Sequence, residues 1–223
     1  MNKFFSIPLI ALAFVSCAQT EDVRPAMGTV SVALSKQAES PELITRTVDD
    51  DLQVDILNSE GTLVRHFAEG EAHSGIQALE LEAGTYSLEA YTANHRTTFP
   101  DTERGEAKYF GRTDFHVVAG RETRLGLRVP MTNMAVSLQL PADIADRFTG
   151  IRFALTRGDR TQELSSGETA YFDLTPAADL TYSLTMTNAD GETGSKSAVL
   201  PVERQKAGTH YTITYAMGQL GLR

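Results

Sequence analysis

The sequence predicts an all-β protein of two tandem antiparallel β-sandwich domains, immunoglobulin-like or transthyretin-like, that follow a lipoprotein signal peptide. Three observations support this fold class. Apolar and polar residues alternate in short runs, turn residues separate the runs at regular intervals, and helical periodicity is nearly absent. The chain has 223 residues, of which 41% are hydrophobic and 22% charged, and this is enough for one to two globular domains.

Residues 1–16 are predicted to form an export signal. A short basic start is followed by an apolar run from Phe4 to Val15, then Ser16 and Cys17. As a helix this run would be about 18 Å long, too short for the roughly 30 Å hydrocarbon core of a bilayer. The segment ending at Cys17 resembles a bacterial lipobox, whose cysteine is lipidated. Cys17 is therefore the predicted lipidation site, and a plain secretory signal with an incidental cysteine is the alternative.

The predicted anchor determines the expected location. Acyl chains on Cys17 would hold the protein at the outer membrane through a tether, residues 17–27. The acidic pair Glu21 and Asp22 resembles the surface-export signal of Bacteroidetes lipoproteins, which favours display on the cell surface over retention in the periplasm. The net charge of -9 argues against a nucleic-acid partner, because Lys and Arg side chains supply most of the affinity for phosphates.

Ten alternating runs predict the strands of the two sandwiches. In chain order they are Val30–Leu34, Leu52–Ile56, Leu79–Leu81, Tyr86–Ala90, Phe115–Val117, Leu125–Val129, Met134–Leu140, Ile151–Leu155, Tyr182–Met186 and Tyr211–Tyr215. Gly, Asn and Asp residues between the runs suit turns, as in Asn58–Gly61 and Asn188–Gly191. One helical turn is predicted at Pro141–Phe148, where Ile144 and Phe148 share a face.

The domain boundary is predicted near Pro130 to Asn133, because proline interrupts a strand ladder and a new alternating run starts at Met134. The first domain would span residues 28–131 and the second residues 132–218, followed by a short tail, residues 219–223. A sequence echo agrees with two similar units. Ala83–Leu88 and Ala207–Ile213 both run from a tight turn into a strand that contains an aromatic residue.

A series of short motifs covers the stretch from Leu52 through Val136. They are the strand and turn at Val54–Gly61, then Leu79–Ala90, Lys108–Gly111, Asp114–Gly120 and Thr132–Val136. In this order they resemble an uncharacterised family of Bacteroidetes lipoproteins, a domain of unknown function that is similar in layout to fimbrillin-type pilus subunits and anchors. The resemblance implies a cell-surface β-sandwich protein with an adhesive, pilus-associated or glycan-related role.

A long polar segment between two predicted strands is the candidate ligand-binding loop. Its selected residues are Tyr91, Asn94, Arg96, Phe99, Asp101, Tyr109 and Phe110. Aromatic rings can pack on the apolar faces of sugars, while amide, guanidinium and carboxylate groups hydrogen-bond hydroxyls. The alternative is that Tyr91 and Tyr109 or Phe110 belong to the core and that the loop caps the sandwich.

The resemblance to fimbrillin-type subunits also implies a processing site. In those subunits a protease cuts after an arginine in a linker, and the groove left by the first strand accepts a strand of a neighbouring subunit. Arg46, in the linker Ser35–Asp51, is the corresponding residue, and Val30–Leu34 would be the leaving strand. An ordinary exposed arginine is the alternative.

No catalytic, metal-binding or cofactor-binding motif is evident in the sequence. The five histidines lack zinc-site spacing, Cys17 is the only cysteine, and there is no nucleophile elbow, P-loop or dinucleotide fingerprint. The acidic run Asp49–Asp51, with Asp55, could collect calcium ligands, but such a run at a strand entrance is more often a solvated, edge-protecting cluster.

The sequence therefore predicts a lipid-anchored surface protein that binds a glycan or protein partner and has no catalytic activity, cofactor or metal. A fimbrial subunit or anchor that assembles with pilus subunits by strand exchange is one alternative. A periplasmic or surface accessory protein that handles carbohydrate is the other.

Overall fold

The structure, a computed structural model, describes residues 25–40, 51–72, 75–216 and 219–222. Cys17, Arg46, Asp49 and Asp50 lie outside these ranges. The first seven strands are β1 (Met27–Gln37), β2 (Leu52–Asn58), β3 (Leu63–Phe67), β4 (Ile76–Glu82), β5 (Gly84–Thr92), β6 (Phe110–Val117) and β7 (Glu122–Pro130). They are followed by β8 (Asn133–Gln139), α1 (Ile144–Arg147), β9 (Phe148–Arg157), β10 (Arg160–Leu164), β11 (Thr169–Asp173), β12 (Leu180–Asn188), β13 (Thr193–Leu200), β14 (His210–Ala216) and β15 (Gln219–Leu222).

Four sheets form two sandwiches, which confirms the predicted all-β fold class. In the first sandwich a three-stranded sheet with the order β4-β1-β7 accompanies a four-stranded sheet with the order β3-β2-β5-β6. In the second sandwich the sheet orders are β11-β8-β14-β15 and β10-β9-β12-β13. The two sandwiches therefore have the same topology: β1 to β7 of the first occupy the same places as β8 to β14 of the second. The second sandwich has one additional edge strand, β15.

Each sandwich contains one parallel pair of strands in an otherwise antiparallel arrangement. β1 runs parallel to β7 over nine register pairs, from Thr29 with Glu122 to Gln37 with Pro130. The equivalent strands of the second sandwich, β8 and β14, are also parallel. In both cases the first strand of the sandwich, β1 or β8, is an interior strand of its sheet. Its parallel neighbour, β7 or β14, comes later in the chain than every strand of the opposite sheet.

Alternation of side chains builds the two cores. In β2 the side chains of Leu52, Val54 and Ile56 are fully buried, while the residues between them face outward. One core combines apolar residues from β1, β2, β5 and β7, and the other combines residues from β8, β9, β12 and β14, with Phe153 as one of its largest buried side chains. The two cores support the proposed division into residues 28–131 and 132–218, which stays a prediction.

The structure differs from the sequence prediction in some elements. Residues 219–222 were expected in a tail but form β15, which pairs with β14. The helical turn is shorter than expected, because Phe148 is extended and begins β9, although Ile144 and Phe148 both pack against the second core. The echoing segments lie at non-equivalent places, since Ala83 precedes β5 and Ala207 precedes β14.

Within the described ranges, no helix has the length and apolar character that crossing a bilayer requires.

Candidate functional site

The candidate loop connects β5 to β6 and covers residues 93–109. Its backbone turns repeatedly, with hydrogen bonds from the Thr97 amide to the Asn94 carbonyl (2.9 Å) and from the Glu103 amide to the Pro100 carbonyl (3.1 Å). Gly105 has a φ of 75°, a left-handed conformation that suits glycine. Pro100 lacks an amide proton, so this part of the chain suits an irregular loop better than a strand.

Lys108, near the end of the loop, is an anchor that the sequence did not reveal. Its side chain is only 4% exposed, and its ammonium group donates to both carboxylate oxygens of Asp173 at 2.7 Å and also to the carbonyl of Thr97. The same ammonium nitrogen lies 5.2 Å from the centre of the Phe99 ring. A buried charge requires such compensation, and here the compensating carboxylate comes from β11 of the second sandwich.

The loop makes further backbone contacts with the second sandwich. The amide of Tyr171 donates to the Arg104 carbonyl (2.7 Å), and the Arg160 guanidinium donates to the Glu103 carbonyl (2.6 Å). At the start of β8, Asn133 is 1% exposed; it donates to the Glu106 carbonyl (2.8 Å) and accepts from the Lys108 amide (3.0 Å).

We call residues 97–108, with their partners Asn133, Arg160, Tyr171 and Asp173, the interdomain clamp. The contacts with Asn133, Arg160, Tyr171 and Asp173 join this loop to the second sandwich, so the loop holds the two sandwiches together.

Burial lowers the pKa of Arg160 in the interdomain clamp, and nearby carboxylates, Asp173 first, act in the opposite direction. Its guanidinium also lies 4.9 Å from the centre of the Phe172 ring and donates to the Tyr171 carbonyl. The clamp therefore holds two cationic groups, Lys108 and Arg160, at the junction of the sandwiches.

A second connection joins the sandwiches near the end of β1. The amide of Ser40 donates to the Gly208 carbonyl (3.0 Å), and the Ser40 hydroxyl accepts from the His210 amide (2.9 Å). Hydrogen bonds near the end of β1 therefore join the sandwiches in addition to the interdomain clamp.

Two of the predicted site residues, Tyr91 and Phe110, are neighbours on the outer face of the sheet β3-β2-β5-β6. They form a register pair, and His95 lies against both rings, with centroid distances of 4.4 Å to Tyr91 and 5.7 Å to Phe110. The Tyr91 hydroxyl donates to Asp55 (2.7 Å), and the pKa of Tyr91 rises to about 12, chiefly through burial and also through this carboxylate. Burial lowers the pKa of His95, whose Nε2 atom has no hydrogen-bond partner in the described part of the chain.

Two others, Phe99 and Asp101, line an open cleft between the loop and β10. The cleft has a volume of about 690 Å³, and its walls also include Thr102, Glu103, Thr161 and Gln162. Gln162 donates to the Asp101 carbonyl and so fixes the loop against the second sandwich. This cleft is therefore shared by both sandwiches.

The remaining three predicted residues occupy different environments. Tyr109 is only 3% exposed, belongs to the first core and lies under Lys36, whose ammonium is 4.9 Å from the ring centre. The side-chain amide of Asn94 donates to the Glu106 carboxylate (3.0 Å) and to the Ala107 carbonyl, so it links the two ends of the loop. The side chain of Arg96 is exposed. The seven residues do not converge on one site, and the binding role of the loop stays a prediction.

The described residues contain no group of three or more His, Cys, Asp or Glu side chains that could hold a metal ion. Of the acidic run considered for calcium, Asp51 pairs with Lys36, and Asp55 accepts hydrogen bonds from His66 and Tyr91. Asp51 and Asp55 are therefore engaged separately.

The sequence did not predict the residues that join the loop to the second sandwich, which are Lys108, Asn133, Arg160, Gln162 and Asp173. Lys108 and Asp173 are 65 positions apart, and the pairing depends on how the two sandwiches meet. The one available signal was Asn133, a polar residue directly before the apolar run Met134–Val136.

Several solved structures are similar to this chain. Among solved structures, a provisionally named adhesin of Bacteroides thetaiotaomicron has a TM-score of 0.49 at 11% identity, covering 87% of this chain and 92% of the other. A provisionally named cell adhesion protein of Bacteroides ovatus has a TM-score of 0.48 at 12% identity, covering 89% and 96%. The fimbrial anchor protein Mfa2 of Porphyromonas gingivalis has a TM-score of 0.37 at 14% identity, covering 83% of this chain and 90% of the other.

No curated protein matches the sequence. The family model for the domain of unknown function DUF4493 matches residues 18–220, which is most of the chain. The chain therefore belongs to the DUF4493 family.

Proposed function

We propose that this protein is a lipid-anchored cell-surface protein that binds a glycan or protein ligand and is not an enzyme. The observation that carries the proposal is the interdomain clamp, because it joins the two sandwiches and presents a cleft at their junction. A binding protein needs such a fixed surface, and domain junctions are common places for ligand sites.

The N-terminal sequence supports the anchor. Met27, the first residue of β1, is only ten positions after Cys17. Ten residues span at most about 36 Å when fully extended. A lipid on Cys17 would therefore hold the first sandwich close to the membrane, with the second sandwich attached to it through the clamp.

Two measurements on intact cells test this proposal. Labelled palmitate should enter the wild-type protein but not the Cys17→Ser variant, and protease added outside the cells should cut the wild-type protein. Absence of label in the wild type would contradict the anchor. Protection until the cells are lysed would instead favour a periplasmic accessory protein that handles carbohydrate.

One observation favours a fimbrial role as the second candidate. β1 lies between β4 and β7, and its Val30 and Val32 are fully or almost fully buried, so its release would open a groove through the first core. Arg46 follows β1 in the chain, where cleavage would free that strand. A neighbouring subunit could then supply the missing strand.

Processing and polymerisation distinguish this candidate from a stand-alone binding protein. Protein taken from native cells should begin at Thr47 and form heat-resistant ladders on a gel, and Arg46→Ala should remove both signs. An intact sequence through Arg46, with no ladders, would contradict the fimbrial role.

A further inference from the structure

We propose that the cleft between the β5–β6 loop and β10 is a binding site for an uncharged, hydroxyl-rich oligosaccharide. This inference rests on the proposed binding function and names its site and ligand class. The cleft is open and has a volume of about 690 Å³, within the range of small-ligand sites. Both sandwiches line it, the first through Phe99, Asp101, Thr102 and Glu103 and the second through Thr161 and Gln162.

The walls of the cleft are held in place before any ligand binds. The carbonyls of Asp101, Glu103 and Arg104 accept hydrogen bonds from Gln162, Arg160 and Tyr171, respectively. These bonds engage the backbone of the loop and leave the side chains of Asp101 and Glu103 exposed. A fixed site loses less conformational entropy when a ligand binds.

A buried polar side chain contributes an unused acceptor to the cleft. Gln162 is only 4% exposed, and its amide nitrogen donates to the carbonyls of Asp101 and Thr161. Its amide oxygen accepts no hydrogen bond from the part of the chain that the structure describes. An amide oxygen has two acceptor lone pairs, so a ligand hydroxyl is a fitting donor for this oxygen.

The remaining polar groups determine the ligand class. Within the described ranges, the carboxylates of Asp101 and Glu103 accept no hydrogen bond, so they can accept from ligand hydroxyls. Of the three other charged residues in the lining, Glu163 pairs with Arg152 and Arg104 pairs with Glu168, while the Glu106 carboxylate accepts from Asn94 and remains negative. The free charge of the cleft is negative, which disfavours acidic sugars.

An apolar ring completes the set of groups. Phe99 is half-buried and lines the cleft beside these acceptors. A site that combines one aromatic ring with a few convergent polar groups fits a sugar, which has apolar C–H faces and a rim of hydroxyls. A simple cation would use the carboxylates but has no need of the ring.

The test uses the purified mature chain with Cys17→Ser, which remains unlipidated in solution. An array of neutral and sialylated oligosaccharides is screened first, and calorimetric titration then measures the affinity for the best neutral oligosaccharide. The paired substitution Asp101→Asn and Glu103→Gln removes both charges and preserves the backbone carbonyls that bind Gln162 and Arg160. The control is Glu80→Gln, which replaces an exposed carboxylate on β4.

We expect neutral oligosaccharides to bind, the paired variant to weaken the affinity by about tenfold or more, and the control to bind like the wild type. Three results would overturn the inference: no binding to neutral oligosaccharides, equal affinity of the paired variant, or binding of sialylated oligosaccharides instead. None of these would contradict the anchor, which palmitate labelling tests separately. Conversely, absence of labelling would contradict the proposed surface protein and leave the oligosaccharide affinity intact.

Discussion

Lys108 and Asp173 form an ion pair between the two sandwiches, with the Lys108 ammonium 2.7 Å from each carboxylate oxygen of Asp173. The two side chains differ in exposure, since that of Lys108 is 4% exposed and that of Asp173 is 39% exposed. Removal of one partner therefore has a different consequence from removal of the other. Without Asp173 a buried cation loses its main partner, whereas without Lys108 the carboxylate remains accessible to water.

The first prediction concerns this asymmetry. Asp173→Ala should lower the free energy of unfolding by about 3 kcal/mol, because it leaves the Lys108 ammonium buried with the Thr97 carbonyl as its one remaining polar partner among the described residues. Lys108→Met should cost about 1–2 kcal/mol, because it removes the charge and retains the apolar stem. Urea unfolding at neutral pH measures both values. A larger loss for Lys108→Met than for Asp173→Ala would contradict this account of the pair.

The second prediction concerns the coupling of the two sandwiches. We expect the wild type to unfold in a single calorimetric transition, because the clamp ties the stability of one core to that of the other. Combining Lys108→Met with Arg160→Ala removes both cationic contacts of the clamp and should divide unfolding into two transitions. Arg124→Ala combined with Arg152→Ala, which removes two exposed ion pairs, is the control. A single transition in the clamp variant would show that other contacts couple the sandwiches.

Alternation of side chains was sufficient to predict much of the fold, because one-faced burial leaves a period of two in the sequence. It succeeded for β2, where Leu52, Val54 and Ile56 are all buried. It did not reveal β13, whose residues Thr193–Ser197 are all exposed. A strand that contributes little to the core has no reason to alternate, so its pairing with β12 determines its structure.

The sites depended on information that lies outside any local pattern. Tyr91 and Phe110 are far apart in the loop sequence but lie side by side, because they pair across adjacent strands. Tyr109 follows the same loop but belongs to the first core, in line with the alternative interpretation of this segment. The pairing of Lys108 with Asp173, like the parallel pairing of β1 with β7, follows from the assembled topology.

The third prediction concerns a close backbone approach at the start of β1. A Cβ atom on Gly28 would lie 2.4 Å from the Val118 carbonyl oxygen and 2.8 Å from a methyl group of Val117, distances that require the strands to shift. Gly28→Ala should therefore cost about 2 kcal/mol or more. Gly126→Ala on β7 is the matched control, since nothing lies within 4 Å of its added methyl group. Equal thermal midpoints for the two variants would contradict the packing described for β1.

The fourth prediction concerns the phenol of Tyr91. Burial and then the hydrogen bond to Asp55 raise its pKa from 10.0 to about 12, so the folded state favours the neutral phenol. For a raised pKa, the stabilisation is fully present below pH 10 and is lost as the pH rises from 10 through 12. The free energy of unfolding of Tyr91→Phe should therefore decrease less between pH 10 and 12 than that of the wild type.

Ultraviolet titration of the phenolate checks the cause of this shift. The difference between the wild-type and Tyr91→Phe absorbance curves isolates the ionisation of Tyr91, which should occur above pH 10. Asp55→Asn should move that ionisation to lower pH, because the phenolate would no longer form beside a carboxylate at 2.7 Å. The part of the shift caused by burial should survive the substitution. An unchanged ionisation in Asp55→Asn would mean that burial alone accounts for the high pKa and that the carboxylate contributes nothing.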